Sequence, residues 1–96
     1  MMSKLEELRK QMDVLNEEII ERFAKRIALA IEIAKVKKQE SLPVYDPVRE
    51  KAQREMLWKL AHKTGLSPAV VDEIFALFVE YSKMKMRIEM HEEGDK

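Results

Sequence analysis

A long helical segment carries one cation, Arg26, among apolar positions where a purely structural helix would carry leucine or alanine. Arg26 lies between Phe23 and Ile27, and Lys37 follows eleven residues later. At about 100° per residue, this spacing places both side chains on one stripe, roughly 16 Å apart along the axis. An unpaired buried cation is very costly, so a cation facing a helical interior needs an anionic partner. The two residues therefore predict a binding site for an anion.

A second group of polar residues lies where the next helix is predicted to begin. Asp46 and Glu50 are four residues apart and share one helical face, with Arg49 beside them. Ser82 and Met86 share a face of the third predicted helix by the same spacing. Asp46 and Glu50 also have purely structural interpretations. Asp46 suits a helix N-cap, and Glu50 complements the positive end of the helix dipole.

Arg9 is the most distant of the candidate residues. It precedes Arg26 by seventeen residues, which is about 25 Å along a helix and about 100° around it. Within one straight helix the two side chains cannot reach the same small ligand. In an antiparallel or crossed dimer, Arg9 of one copy can approach Arg26 and Lys37 of the other. The structural alternative is an ordinary surface ion pair of Arg9 with a nearby acidic residue.

Composition narrows the classes of function. Eighteen basic and eighteen acidic residues cancel, so no global field attracts nucleic acid or an anionic membrane. The absence of cysteine excludes thiol chemistry and fits a reducing cytoplasm. We expect a cytoplasmic protein, because the sequence has no signal-like apolar stretch and no run of membrane-spanning length. The two histidines, His62 and His91, have no metal-ligand spacing, and two glycines cannot form a phosphate loop; we expect neither metal nor cofactor.

The pattern of apolar residues predicts an all-α fold of three helices in a single domain covering residues 1–96. Residues 5–38 contain neither glycine nor proline, and their apolar residues step by three and four. Asp46 followed by Pro47 signals the start of a second helix, which runs to about Lys63, with Gly65 as its stop. Ser67 and Pro68 start the third helix. No segment alternates with period two, so no sheet is expected.

The first helix is too long for its partners. Its roughly 34 residues span about 50 Å, whereas a compact monomer of this size is roughly 30–35 Å across. Another copy must cover its apolar stripe, so we expect an intertwined homodimer. An open coiled coil is the alternative, although the heptad pattern is not kept beyond Ile19.

Taken together, these residues resemble the all-helical, AroQ-type chorismate mutases. The resemblance runs from about residue 4 to residue 90 and includes the loop lengths. It is carried by segments 8–13, 44–50 and 80–82 together with Arg26 and Lys37. In that family, an intertwined dimer of three-helix protomers isomerises chorismate to prephenate, a step towards phenylalanine and tyrosine.

The resemblance implies a role for each candidate residue. Arg26 and Arg9 of the partner chain would bind the two substrate carboxylates, and Ser82 would assist at one of them. Lys37 would donate to the ether oxygen of the breaking bond. Glu50 would accept from the ring hydroxyl, helped by the backbone at Asp46, while Arg49 would orient the neighbouring charges.

Met86 departs from the family pattern, which usually has Gln or Glu there as a second donor to the ether oxygen. A thioether is at most a weak acceptor and cannot donate. Losing such a donor can lower turnover on the order of 10²-fold. We therefore expect a slower enzyme, or one that relies more on Lys37, on a bound water, or on Lys83 or Lys85.

Two other functions fit the same scaffold. An isochorismate pyruvate-lyase would use the same cations on a related dicarboxylate, although the full-length first helix and the Asp46 and Glu50 pair favour the mutase. A non-enzymatic helical dimer is the alternative of a different class, and Met86 is the residue that most favours it. An assay distinguishes the three functions: a mutase converts chorismate, a lyase converts isochorismate alone, and a non-enzymatic dimer converts neither.

Overall fold

The structure, a computed structural model, describes Met1 and residues 3–94, with side chains described up to residue 89. It consists of three helices: α1 (Lys4–Gln39), α2 (Pro47–Thr64) and α3 (Pro68–Gly94). The described residues contain no strand, which confirms the predicted all-α, three-helix chain. None of the described helices has a stretch long and apolar enough to cross a bilayer.

The predicted helix ends are confirmed by the contacts at the caps. The Asp46 carboxylate accepts a hydrogen bond of 3.1 Å from the backbone N–H of Arg49, as an N-cap residue does. Gly65 ends α2 with φ of 78°, a left-handed conformation that glycine adopts without steric cost. The Ser67 hydroxyl accepts from the N–H of Val70 at 3.4 Å. These local signals fix where α2 begins and ends and where α3 begins.

The C-terminal end of α1 is closed by a Schellman motif. The N–H of Leu42 donates to the carbonyl of Lys37 at 2.7 Å, and the N–H of Ser41 donates to the carbonyl of Lys38 at 3.2 Å. This motif places its penultimate residue in the left-handed region, and Ser41 has φ of 57°. The motif turns the chain directly after Lys37, so it fixes where that side chain leaves the helix.

Helix α3 is the element in contact with both of the others. An aromatic cluster joins α3 to α1: the ring of Phe23 lies 4.5 Å from Phe78 and 5.7 Å from Tyr81, measured between centroids. Phe75 extends the cluster, with its ring 5.2 Å from that of Phe78. Such tilted and edge-to-face arrangements are the favoured geometries of aromatic pairs. The α1–α3 pair therefore forms a frame, and α2 packs against its α3 side.

The first half of α1 extends away from this frame. Residues 4–22 are all exposed, and the chain measures 59 × 31 × 16 Å with a radius of gyration of 17.5 Å. A compact chain of this length has a radius of gyration of about 12–13 Å. Among the described side chains, Ala34, Ala61 and Met86 are the buried apolar ones. One copy of the chain thus leaves most of its apolar surface uncovered.

Candidate active site

Arg26 projects from α1 towards α3 at the end of the aromatic cluster. Its Nη1 donates to the hydroxyl of Ser82 at 3.1 Å, and its guanidinium carbon lies 5.9 Å from the ring centroid of Phe75. Burial and, second, the charge of Arg49 lower the pKa of Arg26. Two guanidinium groups therefore act on each other where Arg26 is partly removed from water. An anion placed there would relieve both unfavourable effects.

Ser82 is buried and holds Arg26 rather than facing solvent. Its hydroxyl donates to the carbonyl of Phe78 at 2.8 Å, one turn earlier on α3, and accepts from Arg26. The single hydroxyl proton is therefore used within the helix, and the oxygen serves as an acceptor. In this arrangement Ser82 orients the guanidinium, a contact between α1 and α3 that the sequence spacing did not predict.

Lys37 lies on the same helix as Arg26, near the loop that follows α1. Its amino group donates to the backbone carbonyl of Val44 at 2.8 Å. This bond ties the end of α1 to residues 40–46, immediately before the Asp46 cap. The ammonium group is half-buried and retains two further donors, so it is able to bind a second acceptor while it holds the loop.

Glu50 lies in the first turn of α2 and faces α3. Its carboxylate oxygen Oε1 is 2.9 Å from the Nζ of Lys83, and Lys83 lies 5.5 Å from the ring centroid of Tyr45. Glu50 also donates its backbone N–H to the carbonyl of Asp46 at 3.0 Å. The Asp46 cap thus sets the position of the turn that carries Arg49 and Glu50.

The remaining two candidates, Met86 and Arg9, differ in their distance from this cluster. Met86 is 7% exposed, and it stands one turn beyond Ser82 on the same face of α3. Arg9 is exposed on the extended half of α1, about 25 Å along the axis from Arg26. Within one chain the structure thus brings Arg26, Arg49 and Ser82 together, with Glu50 nearby on α2, and it leaves Arg9 outside the group.

Two of the candidate residues, Arg26 and Glu50, line two adjoining grooves. The groove between α1 and α3 is lined by Arg26, Phe75 and Phe78, and the groove between α2 and α3 is lined by Glu50, Phe75 and Lys83. Phe75 belongs to both grooves. The second groove has a volume of about 360 Å³, within the usual range for small-molecule sites. The two grooves thus place the cation of Arg26 at one end and the carboxylate of Glu50 at the other. This arrangement suits a small ligand that carries carboxylate groups and a hydroxyl.

Three residues of this region were not predicted as site residues, namely Tyr45, Phe75 and Lys83. The sequence indicated Lys83 only as a replacement donor, because nothing in its spacing shows that it meets Glu50. The one feature of the sequence that could have pointed to Lys83 is its position next to the candidate residue Ser82. Phe75 and Phe78 are three residues apart, so their common face could have indicated the aromatic wall.

Among the residues whose side chains the structure describes, no group of three or more histidine or acidic residues could hold a metal ion. His91 lies outside those residues. The polar groups at the site are cations, carboxylates, a hydroxyl and backbone carbonyls. Its cations can bind and polarise an anionic ligand.

Comparison with known proteins gives a consistent result. A family profile described as chorismate mutase type II matches residues 8–87. The chorismate mutase of Methanocaldococcus jannaschii is 30% identical over 96 residues, which cover the whole of this chain and 97% of that protein.

Two longer proteins are also similar to the chain. The T-protein of Haemophilus influenzae is 37% identical over 81 residues, 84% of this chain and 22% of that protein. The bifunctional chorismate mutase/prephenate dehydratase of Aquifex aeolicus is 37% identical over 59 residues, 62% of this chain and 16% of that protein. The chain therefore spans less than a quarter of either relative.

The matched segment runs from just before Arg9 to just after Met86, so it contains all the residues placed above, including the exposed arginine that one chain does not bring to the site. The matched segment includes most of all three helices, and the relative of nearly equal length is matched over the whole of this chain. The chain belongs to the chorismate mutase type II family.

Proposed function

We propose that this chain is a chorismate mutase, an isomerase that converts chorismate to prephenate in the biosynthesis of phenylalanine and tyrosine. Membership of the family supports this activity, as does a relative of nearly equal length that is named chorismate mutase. The observation that carries the proposal is Arg26: a half-buried guanidinium whose described partners are a neutral hydroxyl and a neutral ring. Such a group favours an anionic ligand.

The reaction requires the protein only to bind the substrate in its reactive conformation and to stabilise the charge that develops in the transition state. A [3,3] rearrangement is unimolecular: a C–O bond breaks and a C–C bond forms within the substrate, and no group passes to the protein. Arg26 and a second arginine would hold the two carboxylates and keep the flexible substrate folded. Lys37 would stabilise the negative charge that grows on the ether oxygen, so it would bind the transition state more tightly than the substrate. Glu50 would accept from the ring hydroxyl.

The second arginine would come from another copy of the chain. Residues 4–22 of α1 are exposed, and they carry a stripe of large apolar residues at helical spacing: Leu5, Leu8, Met12, Leu15 and Ile19. Such a stripe on a helix normally packs against another element. An intertwined homodimer would bury it and bring Arg9 of one chain to Arg26 of the other.

The function is tested with the purified protein and two substrates. Arg26→Ala should abolish formation of prephenate from chorismate, because it removes the cation at the carboxylate position, while circular dichroism and the dimer mass stay unchanged. Lys25→Ala is the matched control, since Lys25 is an exposed neighbour on α1, and it should retain full activity. Activity on isochorismate alone would identify a lyase, and retained activity in Arg26→Ala would refute the assigned site.

A further inference from the structure

The carboxylate of Glu50 is held by a lysine from the neighbouring helix. Lys83 Nζ on α3 lies 2.9 Å from Glu50 Oε1 on α2, and the same ammonium group lies over the ring of Tyr45, 5.5 Å from its centroid. The side chains of Lys83 and Glu50 are 26% and 36% exposed, so the contact is at the edge of the groove rather than in bulk solvent. This ion pair crosses the groove that Glu50 and Lys83 both line.

The partner that sequence spacing would offer to Glu50 is already bound elsewhere. Arg54 is four residues after Glu50 on α2, the separation at which oppositely charged side chains usually pair. Instead, its Nε and Nη2 donate to the two oxygens of Asp72 on α3, both at 3.2 Å. This two-bond arrangement fits the planar guanidinium. Glu50 is therefore left to Lys83 and is drawn towards α3 rather than along α2.

Lys83 remains charged while it holds Glu50. The hydrogen bond to Glu50 is the largest influence on the pKa of Lys83 and raises it, burial acts in the opposite direction, and the charges of Glu50 and Glu80 raise it further. The ammonium group is consequently protonated throughout the neutral range. A protonated lysine beside an ionised carboxylate keeps that carboxylate as a hydrogen-bond acceptor.

We propose that Lys83 is a positioning residue: it holds the carboxylate of Glu50 in the groove between α2 and α3, where Glu50 accepts the hydrogen bond of the substrate hydroxyl. This inference rests on the proposed function. Glu50 lies in the first turn of α2, at the edge of the groove, and its long side chain can otherwise turn towards water. Lys83 does not itself bind the substrate in this account, because its ammonium group is committed to Glu50.

The first test compares variants of Lys83 by steady-state kinetics on chorismate. Lys83→Gln should lower kcat/KM on the order of tenfold, since a small misplacement of a binding group is costly. The loss should fall mainly on KM, because a hydroxyl contact made in substrate and transition state alike contributes uniform binding. Lys83→Arg keeps a donor and a charge and should recover most of the loss.

A matched control removes a different ion pair from the same helix. Lys35 on α1 lies 3.4 Å from Glu89 on α3, and it has no part in the site. Lys35→Gln should leave kcat/KM within about twofold of the wild type, the range of a surface ion pair. Thermal unfolding of both glutamine variants shows whether a loss of activity reflects a loss of folded protein.

A double-mutant cycle then tests whether Lys83 acts through Glu50. Glu50→Gln keeps an oxygen acceptor and lowers kcat/KM, and adding Lys83→Gln to it should lower kcat/KM by less than about twofold further. An additive effect of the two substitutions, or a Lys83→Gln variant with unchanged KM and kcat, would overturn the inference. A wild-type protein that forms no prephenate would instead refute the proposed function, and this outcome is seen before any variant is compared.

Discussion

Arg26 and Arg49 place two positive charges where one chain offers no carboxylate to either among the contacts described above. Burial lowers the pKa of Arg26 first, and the charge of Arg49 lowers it further. Arg49 also stands in the first turn of α2, where the helix dipole disfavours a cation. We therefore expect Arg49 to weaken the folded protein while it strengthens the positive field that an anionic substrate would meet.

Replacing Arg49 should separate these two effects. Arg49→Gln should raise the free energy of unfolding by about 0.3–1 kcal/mol, because it removes a charge from a helix N-terminus and from the neighbourhood of Arg26. The same variant should lower kcat/KM for chorismate at least on the order of tenfold. Urea unfolding and steady-state kinetics measure the two quantities.

The control for Arg49→Gln is Lys59→Gln, which removes an exposed positive charge from the middle of α2. It should change neither stability nor activity appreciably, as exposed charges away from a partner usually do. A clear loss of stability in Arg49→Gln would contradict the unfavourable role assigned to this arginine.

Met86 connects the chemistry of the site to the packing of α3. It is 7% exposed, so glutamine at this position would bring an amide into a buried place. Met86→Gln should raise turnover, because the amide can donate where the thioether cannot. It should also lower the free energy of unfolding by about 1–3 kcal/mol, the usual cost of burying a polar group incompletely paired.

Met84→Gln is the matched control for this substitution. Met84 lies two residues away on α3 and is 43% exposed, so an amide there stays in water. It should alter neither turnover nor stability. If Met86→Gln left turnover unchanged or lowered it, a missing donor would not explain the departure from the family pattern.

At the level of elements, the end of α1 combines a backbone motif with a functional side chain. Ser41 adopts φ of 57°, which costs a residue with a Cβ about 1–2 kcal/mol. Four residues earlier, the carbonyl of Lys37 accepts a hydrogen bond within the motif, and its ammonium group donates one to the carbonyl of Val44 in the loop. The position of this cation is therefore set by the way in which the helix ends.

Ser41→Gly should stabilise the protein. Relief of the left-handed strain exceeds the extra entropy of glycine in the unfolded chain, so a net gain of about 0.5–1 kcal/mol is expected. Ser41→Ala keeps the Cβ and should show no gain at the same protein concentration. Because the motif is preserved in both variants, kcat/KM should stay at the wild-type value; a large change in activity would show that Ser41 itself takes part in the site.

The ends of the helices could be predicted from the sequence because the residues that cap them act locally. Asp46 with Pro47, Gly65, and Ser67 with Pro68 each determine a helix end through contacts within four residues. The contacts between helices were less accessible. Whether Glu50 meets Arg54 on its own helix or Lys83 on another depends on how α2 crosses α3, and no spacing along the chain determines that crossing.

The site residues divide in the same way. The spacing of Arg26 and Lys37 along α1 indicated cations on one stripe, because helical geometry alone relates them. The hydrogen bond from Ser82 to the Phe78 carbonyl is local to α3, but the contact of Arg26 with Ser82 depends on how α1 packs against α3, where Phe23 meets Phe78. Arg9 stays a prediction, since its place depends on a second chain.

Considered as a whole, one chain is too extended to bury most of its large apolar side chains. Its radius of gyration is 17.5 Å, well above the value of about 12–13 Å for a compact chain of this length. The proposed dimer would supply both the missing burial and the missing arginine. Folding and site assembly would then be a single event, and the thermal midpoint should rise with protein concentration.

The most direct test of a site shared between two chains is subunit complementation. Arg9→Ala and Arg26→Ala, each inactive alone, are unfolded together, refolded and assayed for prephenate formation from chorismate. If Arg9 acts across the interface, each mixed dimer has one intact site, and random pairing should restore about a quarter of the wild-type activity. If the mixture forms dimers but shows no more activity than the two variants refolded separately, Arg9 does not complete the site of a partner chain, and a site shared between two chains is refuted.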